Sequence, residues 1–200
     1  MTYRKAVQAR AIATERRFLD ALNECLTFQS YESTSIAQIA KQAGLHRGAF
    51  LKRFGSKREA LLVLFSRYCD RASATIQTMQ RNLHEYPTAE SICFAMSVRL
   101  EEIQLADFGA NRAMLEDFSQ KLETDQLTKR IFSETVELMR SIQSYFLKDI
   151  PFTDQGAFAA SQLLVTLNFN YVMNAMPGLP RSAVLRHQLI SQCVYSALIY

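Results

Sequence analysis

The sequence predicts an all-α fold of about nine helices, with three short N-terminal helices leading into a larger helical body. Three observations carry that prediction. Apolar residues recur at the 3.6-residue spacing of a helix almost throughout, and no segment shows the strict alternation of a half-buried strand. Only 6 glycines and 4 prolines occur in 200 residues, and most of them fall where the helical pattern breaks. Two helix starts are written as capping boxes, Ser35-Ile36-Ala37-Gln38 and Ser56-Lys57-Arg58-Glu59.

The first helix spans about 13–27, with Phe18, Leu22, Cys25 and Leu26 on one apolar stripe. A second runs from Ile36 to Gln42, and its inward face is Ile36, Ile39, Ala40 and Ala43. Gly44 sits at the corner that follows, where a tight turn calls for positive φ. The third helix, Arg47 to Phe54, can bury Ala49, Phe50 and Phe54. After the break at Phe54-Gly55-Ser56, a long helix starts at Lys57 and reaches about Arg81. Pro87, Pro151 and Pro177-Gly178-Leu179-Pro180 then punctuate helices at 88–106, 110–122, 126–148, 154–175 and 181–199.

Composition narrows the function classes. Hydrophobic residues make up 48% of the chain, so a core forms without disulfides or metals. The four cysteines (Cys25, Cys69, Cys93, Cys193) are irregularly spaced, and the three histidines (His46, His84, His187) lie far apart. That pattern predicts small core thiols in a reducing cytoplasm and no metal site or cofactor. The uncharged stretches 155–180 and 188–200 are too polar or too short to span a membrane, and no secretory leader is expected. Motifs of the HExxH, GxSxG and P-loop types are absent, which argues against an enzyme.

Charge is unevenly placed. Residues 1–60 carry eleven Lys/Arg against five Asp/Glu, whereas residues 61–200 carry twelve against fourteen. A basic N-terminal module with an anionic partner, joined to a near-neutral body, fits this split. Two short helices at a tight turn form a helix-turn-helix, whose second helix enters the major groove of a duplex. Arg47, Leu51, Lys52 and Arg53 remain on the outside of that helix, with Lys57 and Arg58 beyond it. These are donors for phosphates and guanine edges. A solvated basic hairpin is the plain alternative.

The gap-free run from Thr34-Ser35-Ile36-Ala37-Gln38-Ile39-Ala40-Lys41 through Gly44-Leu45-His46-Arg47-Gly48-Ala49-Phe50-Leu51-Lys52-Arg53-Phe54-Gly55-Ser56-Lys57 to Leu61 resembles the DNA-binding signature of the TetR family of bacterial transcriptional regulators. The resemblance covers about residues 12–70. It implies a helix-turn-helix domain at 1–56 and an effector-binding and dimerisation domain at 57–200. It places Thr34, Ser35, Ala37, Arg47, Gly48, Ala49, Leu51, Lys52, Arg53 and Lys57 at the DNA. This chain departs from the family's pattern at several positions. His46 stands where a Ser cap is usual, Leu51 where Tyr is, Arg53 where His is, and Ser30 where Gly is. The expected partners are double-stranded DNA, a second copy through the two C-terminal helices, and a small apolar or amphipathic effector. Asn111, Gln143 and Asn170 are candidate anchors in the body. A repressor released by its effector is the leading expectation. An activator or effector-independent DNA binder, a helical scaffold and an enzyme are the alternatives.

Overall fold

The computed structural model describes residues 9–118, 122–151, 153–173 and 178–199. Among these the structure is all-helical: α1 (Ala9–Phe28), α2 (Ile36–Gln42), α3 (Arg47–Phe54), α4 (Lys57–Arg81), a 3-10 turn at Leu83–Glu85, α5 (Ala89–Ala106), α6 (Phe108–Phe118), α7 (Leu122–Phe146), α8 (Asp154–Val172) and α9 (Ala183–Ile199). The expected helix end at 122 is corrected, because Leu122 already belongs to α7; the expected end at 175, and Pro177, lie outside the described residues. The chain divides into two compact units, one of residues up to 68 with 107–124, the other of 69–106 with 125–200.

In the first unit three aromatic rings set the packing. Phe18 meets Phe50 edge-on at 5.3 Å and Phe54 at 6.1 Å, and Phe50 and Phe54 lie 5.0 Å apart. All three are fully buried, so α1 and α3 are pinned by rings in a preferred geometry. Leu22, Leu26, Ile39, Ala40, Leu61 and Leu64 complete this core. Two expectations are corrected here: Ala49 is exposed rather than buried, and Ile36 is only half-buried. One turn of α3 buries what Phe50 and Phe54 can reach, which leaves Ala49 on the far side.

Helix α6 packs on α1 in the same unit. Gly109 makes this possible, because a Cβ there would lie 2.1 Å from the Asn23 carbonyl oxygen and 2.8 Å from the Thr27 nitrogen. The Ala110 amide donates to Asn23 Oδ1 at 3.0 Å, and Arg112 donates to the carbonyls of Thr27 and Gln29 at the end of α1. Those carbonyls would otherwise lack partners at the helix terminus.

The second unit has its own core from α4, α5, α7, α8 and α9, with Met79, Ile92, Met96, Leu138, Met139, Ile142, Leu164, Ile190, Val194 and Leu198 buried. Set into the wall between α5 and α9 is a polar group. Arg186, 2% exposed, donates to both Glu101 carboxylate oxygens at 2.7 and 3.0 Å and stacks on the Tyr171 ring at 3.6 Å. Beside it His187 Nδ1 lies 2.8 Å from the Ser97 hydroxyl, and Ser97 donates to Asn168 Oδ1. Burial lowers the His187 pKa below its usual value against the opposing pull of Glu101. All four cysteines are free thiols; Cys69 and Cys93 are buried, and burial pushes each pKa up to about 12.

Candidate nucleic-acid interface

The reading unit is built from its caps inward. Ser35 Oγ accepts from the Gln38 amide at 3.2 Å while Gln38 Oε1 accepts from the Ser35 amide at 2.8 Å, the complete capping box. At the other end of α2, the Gly44 amide donates to Lys41 at 3.0 Å and the Leu45 amide to Ala40 at 2.9 Å. Gly44 has φ +61°, a conformation that side-chain-bearing residues rarely adopt. Arg17 reaches over from α1 and donates to the Ala43 carbonyl at 2.6 Å. The turn is thus held both by its backbone and by a guanidinium from another helix.

Helix α3 starts on His46, whose side chain makes no cap hydrogen bond, so the poorer cap read from the sequence is real. It ends at Gly55, φ +78°, where the amide bonds the Leu51 carbonyl at 2.8 Å. The Ser56 hydroxyl then accepts the Glu59 amide at 3.1 Å and starts α4.

Arg47, Gly48, Ala49 and Lys52 stand exposed on α3, opposite the buried Phe50 and Phe54. Nothing lies within 4 Å of where a Gly48 Cβ would be, so no protein neighbour requires a glycine there. Ser35 and Ala37 are exposed at the start of α2. Leu51 is half-buried.

The other three expected contacts are placed differently. Thr34 is 1% exposed, its hydroxyl donating inward to the Ser30 carbonyl at 2.9 Å. Lys57 Nζ donates to the carbonyls of Tyr31 and Thr34, the latter at 2.7 Å, and sits 4.1 Å from the Tyr31 ring centre. Arg53 lies 3.7 Å from Glu15, with both side chains mostly covered. The structure therefore exposes six of the ten expected residues, leaves Leu51 half-buried, and uses Thr34, Lys57 and Arg53 to hold the unit together. Sequence reading missed Arg17, Glu15 and Tyr31 as the partners, because each acts on a residue more than twenty positions away.

Two short helices, a glycine corner and an exposed basic second helix define a helix-turn-helix module. Residues 18–63 match the family model described as bacterial regulatory proteins, tetR family. Solved structures match over nearly the whole chain. The fatty acid degradation regulator FadR from Bacillus halodurans has TM-score 0.69 and 17% identity, covering 97% of each chain. FadR from Bacillus subtilis in complex with stearoyl-CoA gives 0.65 and 19%, covering 92% of this chain and 97% of its own. NalD, the secondary repressor of the MexAB-OprM multidrug efflux pump in Pseudomonas aeruginosa, gives 0.66 and 16%, covering 96% and 98%. At such identities the likeness establishes the fold alone, one shared with these solved regulators. No match is found among curated proteins. Among the described residues no helix is long and apolar enough to cross a membrane, and no group of three or more His, Cys, Asp or Glu is placed to hold a metal.

Proposed function

We propose that the protein is a cytoplasmic transcriptional repressor that grips a near-palindromic DNA site as a homodimer and releases it when a small apolar or amphipathic molecule binds. The exposed face of α3 carries this reading. Arg47 and Lys52 offer cationic donors, and Gly48 and Ala49 between them keep the surface low enough for close approach to a groove. Ser35, Ala37 and Leu51 would add contacts beside that face, while Thr34, Arg53 and Lys57 would act by holding the reading unit in shape. Residues 1–56 would read DNA, and 57–200 would sense and dimerise.

Dimerisation is supported by α8 and α9. Neither stretch 155–173 nor 188–199 contains a charged residue, yet Phe158 is 51% exposed and Leu189 39%. Uncharged helical stretches with large apolar side chains in solvent bury that surface against a partner. Two recognition helices about 34–36 Å apart would then read two half-sites. Release by an effector and repression are supported by the neighbours: stearoyl-CoA is bound to one FadR, and NalD is a repressor.

The test is footprinting on genomic DNA, followed by anisotropy titration of the selected duplex over a range of salt. Affinity should fall steeply with salt, and Arg47→Ala with Lys52→Ala should flatten the log–log slope by about two, close to 0.9 per lost phosphate contact. Binding that the double substitution leaves unchanged would refute the site.

A further inference from the structure

Successive residues at the start of a helix are turned about 100° from one another, so four in a row face every direction around the axis. His46, Arg47, Gly48 and Ala49 are all exposed, so this end of α3 stands clear of the unit on every side. In the next turn Phe50 and Phe54 are buried and Arg53 lies against Glu15. The helix is thus anchored by its C-terminal turn and projects by its first.

The donors divide the same way. Arg53 is paired with Glu15, and Lys57 with the carbonyls of Tyr31 and Thr34. His46, Arg47 and Lys52 make no hydrogen bond or ion pair among the described residues. Among these three, His46 stands where a side chain is ordinarily used by the fold. The residue before a helix bonds the amides of the first turn, and Ser, Thr, Asp and Asn are the types that reach. His46 has the extended backbone of that position, φ −88° and ψ 143°, but its side chain makes no such bond. Its imidazole is therefore exposed at the tip of α3 with one N–H donor and one acceptor nitrogen available. In a helix-turn-helix the first residues of the second helix meet the base edges. Purines present N7, and guanine also O6, as acceptors in the major groove, which suits an imidazole N–H. Gly48 and Ala49 carry too little side chain to hold the tip away.

We propose that His46 is a specificity-determining residue that donates to a purine edge in the major groove, beside the contact made by Arg47. This rests on the reading of the protein as a DNA-binding regulator, and the experiment separates the two. Anisotropy titration at about pH 8, where imidazole is uncharged, uses the footprinted duplex, a scrambled duplex of equal length and duplexes with single base-pair changes in the half-site. His46→Ala should weaken binding to the footprinted duplex at least about fivefold and erase the preference at one base pair in each half-site. It should leave the scrambled duplex and the salt slope unchanged, because no charge is removed. His46→Ser should lose the same preference although α3 is then better capped, so the loss is not one of folding. His46→Gln, which keeps a donor and an acceptor, should retain a preference at that base pair. Preference that survives His46→Ala or His46→Ser overturns the proposal. So does equal weakening on both duplexes with a shallower salt slope, which would make His46 a phosphate contact. Failure of the regulator reading would appear in the parent chain instead, as the lack of tight, salt-dependent binding to any duplex, and the proposal would fall with it.

Discussion

Replacing Gly48 by alanine separates the demands of folding from those of DNA binding. Glycine inside a helix costs 0.5–1 kcal/mol relative to alanine. Gly48 is the second residue of α3, in its first turn, so the lower end of that range applies, about 0.5 kcal/mol. The added methyl meets no atom within 4 Å, so no strain offsets the gain. For a chain of this size the gain corresponds to a rise in Tm of roughly 1–2 °C. On the DNA side the sign reverses. A methyl at the centre of the exposed face holds the helix off the groove and weakens contacts worth about 1–3 kcal/mol each, so affinity should fall by roughly tenfold. Scanning calorimetry measures the first effect and anisotropy titration of the footprinted duplex the second. A variant that is more stable but binds DNA as tightly as the parent would show that α3 does not present this face to the groove. A variant that is less stable would show that the space around Gly48 is not open.

Four further outcomes are expected. His46→Ser should supply the missing cap and raise stability by about 1 kcal/mol; no change in the denaturant midpoint would mean that the start of α3 is satisfied in another way. Gly109→Ala drives a Cβ into backbone atoms of Asn23 and Thr27, so it should destabilise by about 1–3 kcal/mol, read from urea unfolding, and a neutral result would contradict the close approach of α6 to α1. Arg186→Met alone should cost about 3–5 kcal/mol by stranding the buried Glu101, whereas adding Glu101→Met should restore part of the loss; additive effects would deny the coupling. Because the His187 pKa is lowered on folding, the unfolded chain binds the extra proton. Stability should therefore fall as pH drops below the ordinary histidine value of 6.5, and His187→Gln should remove that part of the pH profile in thermal melts.

Local features were legible in the sequence, and long-range ones were not. Ser35 with Gln38, Gly44 at its corner and Ser56 before Glu59 are each decided within a few residues, so a linear reading finds them. The aromatic pattern at Phe18, Phe50 and Phe54 likewise pointed to the core. By contrast, Lys57 looked like a free cation because its partners, Tyr31 and Thr34, precede it by 26 and 23 residues. Thr34 looked polar and available, yet its hydroxyl finds the Ser30 carbonyl and turns inward. Glu101 and Arg186 are 85 positions apart, and neither carries a local sign of the other. Gly109 lies just before the helix expected at 110–122 yet inside α6, and only the proximity of α1 reveals why a side chain is excluded there.

The Lys57 clamp has a mechanical consequence. Its ammonium ties the first residue of α4 to the carbonyls of Tyr31 and Thr34, which closes residues 31–57 into a non-covalent ring containing both helices of the reader. Tension or torque entering along α4 is delivered to both ends of that ring at once. The reader then swings as a solid head instead of being unwound from one side. On the proposed reading as an effector-released dimer, control of the grip would then be a matter of where two intact heads point, and the amides of α2 and α3 should keep their hydrogen-exchange protection when DNA is released.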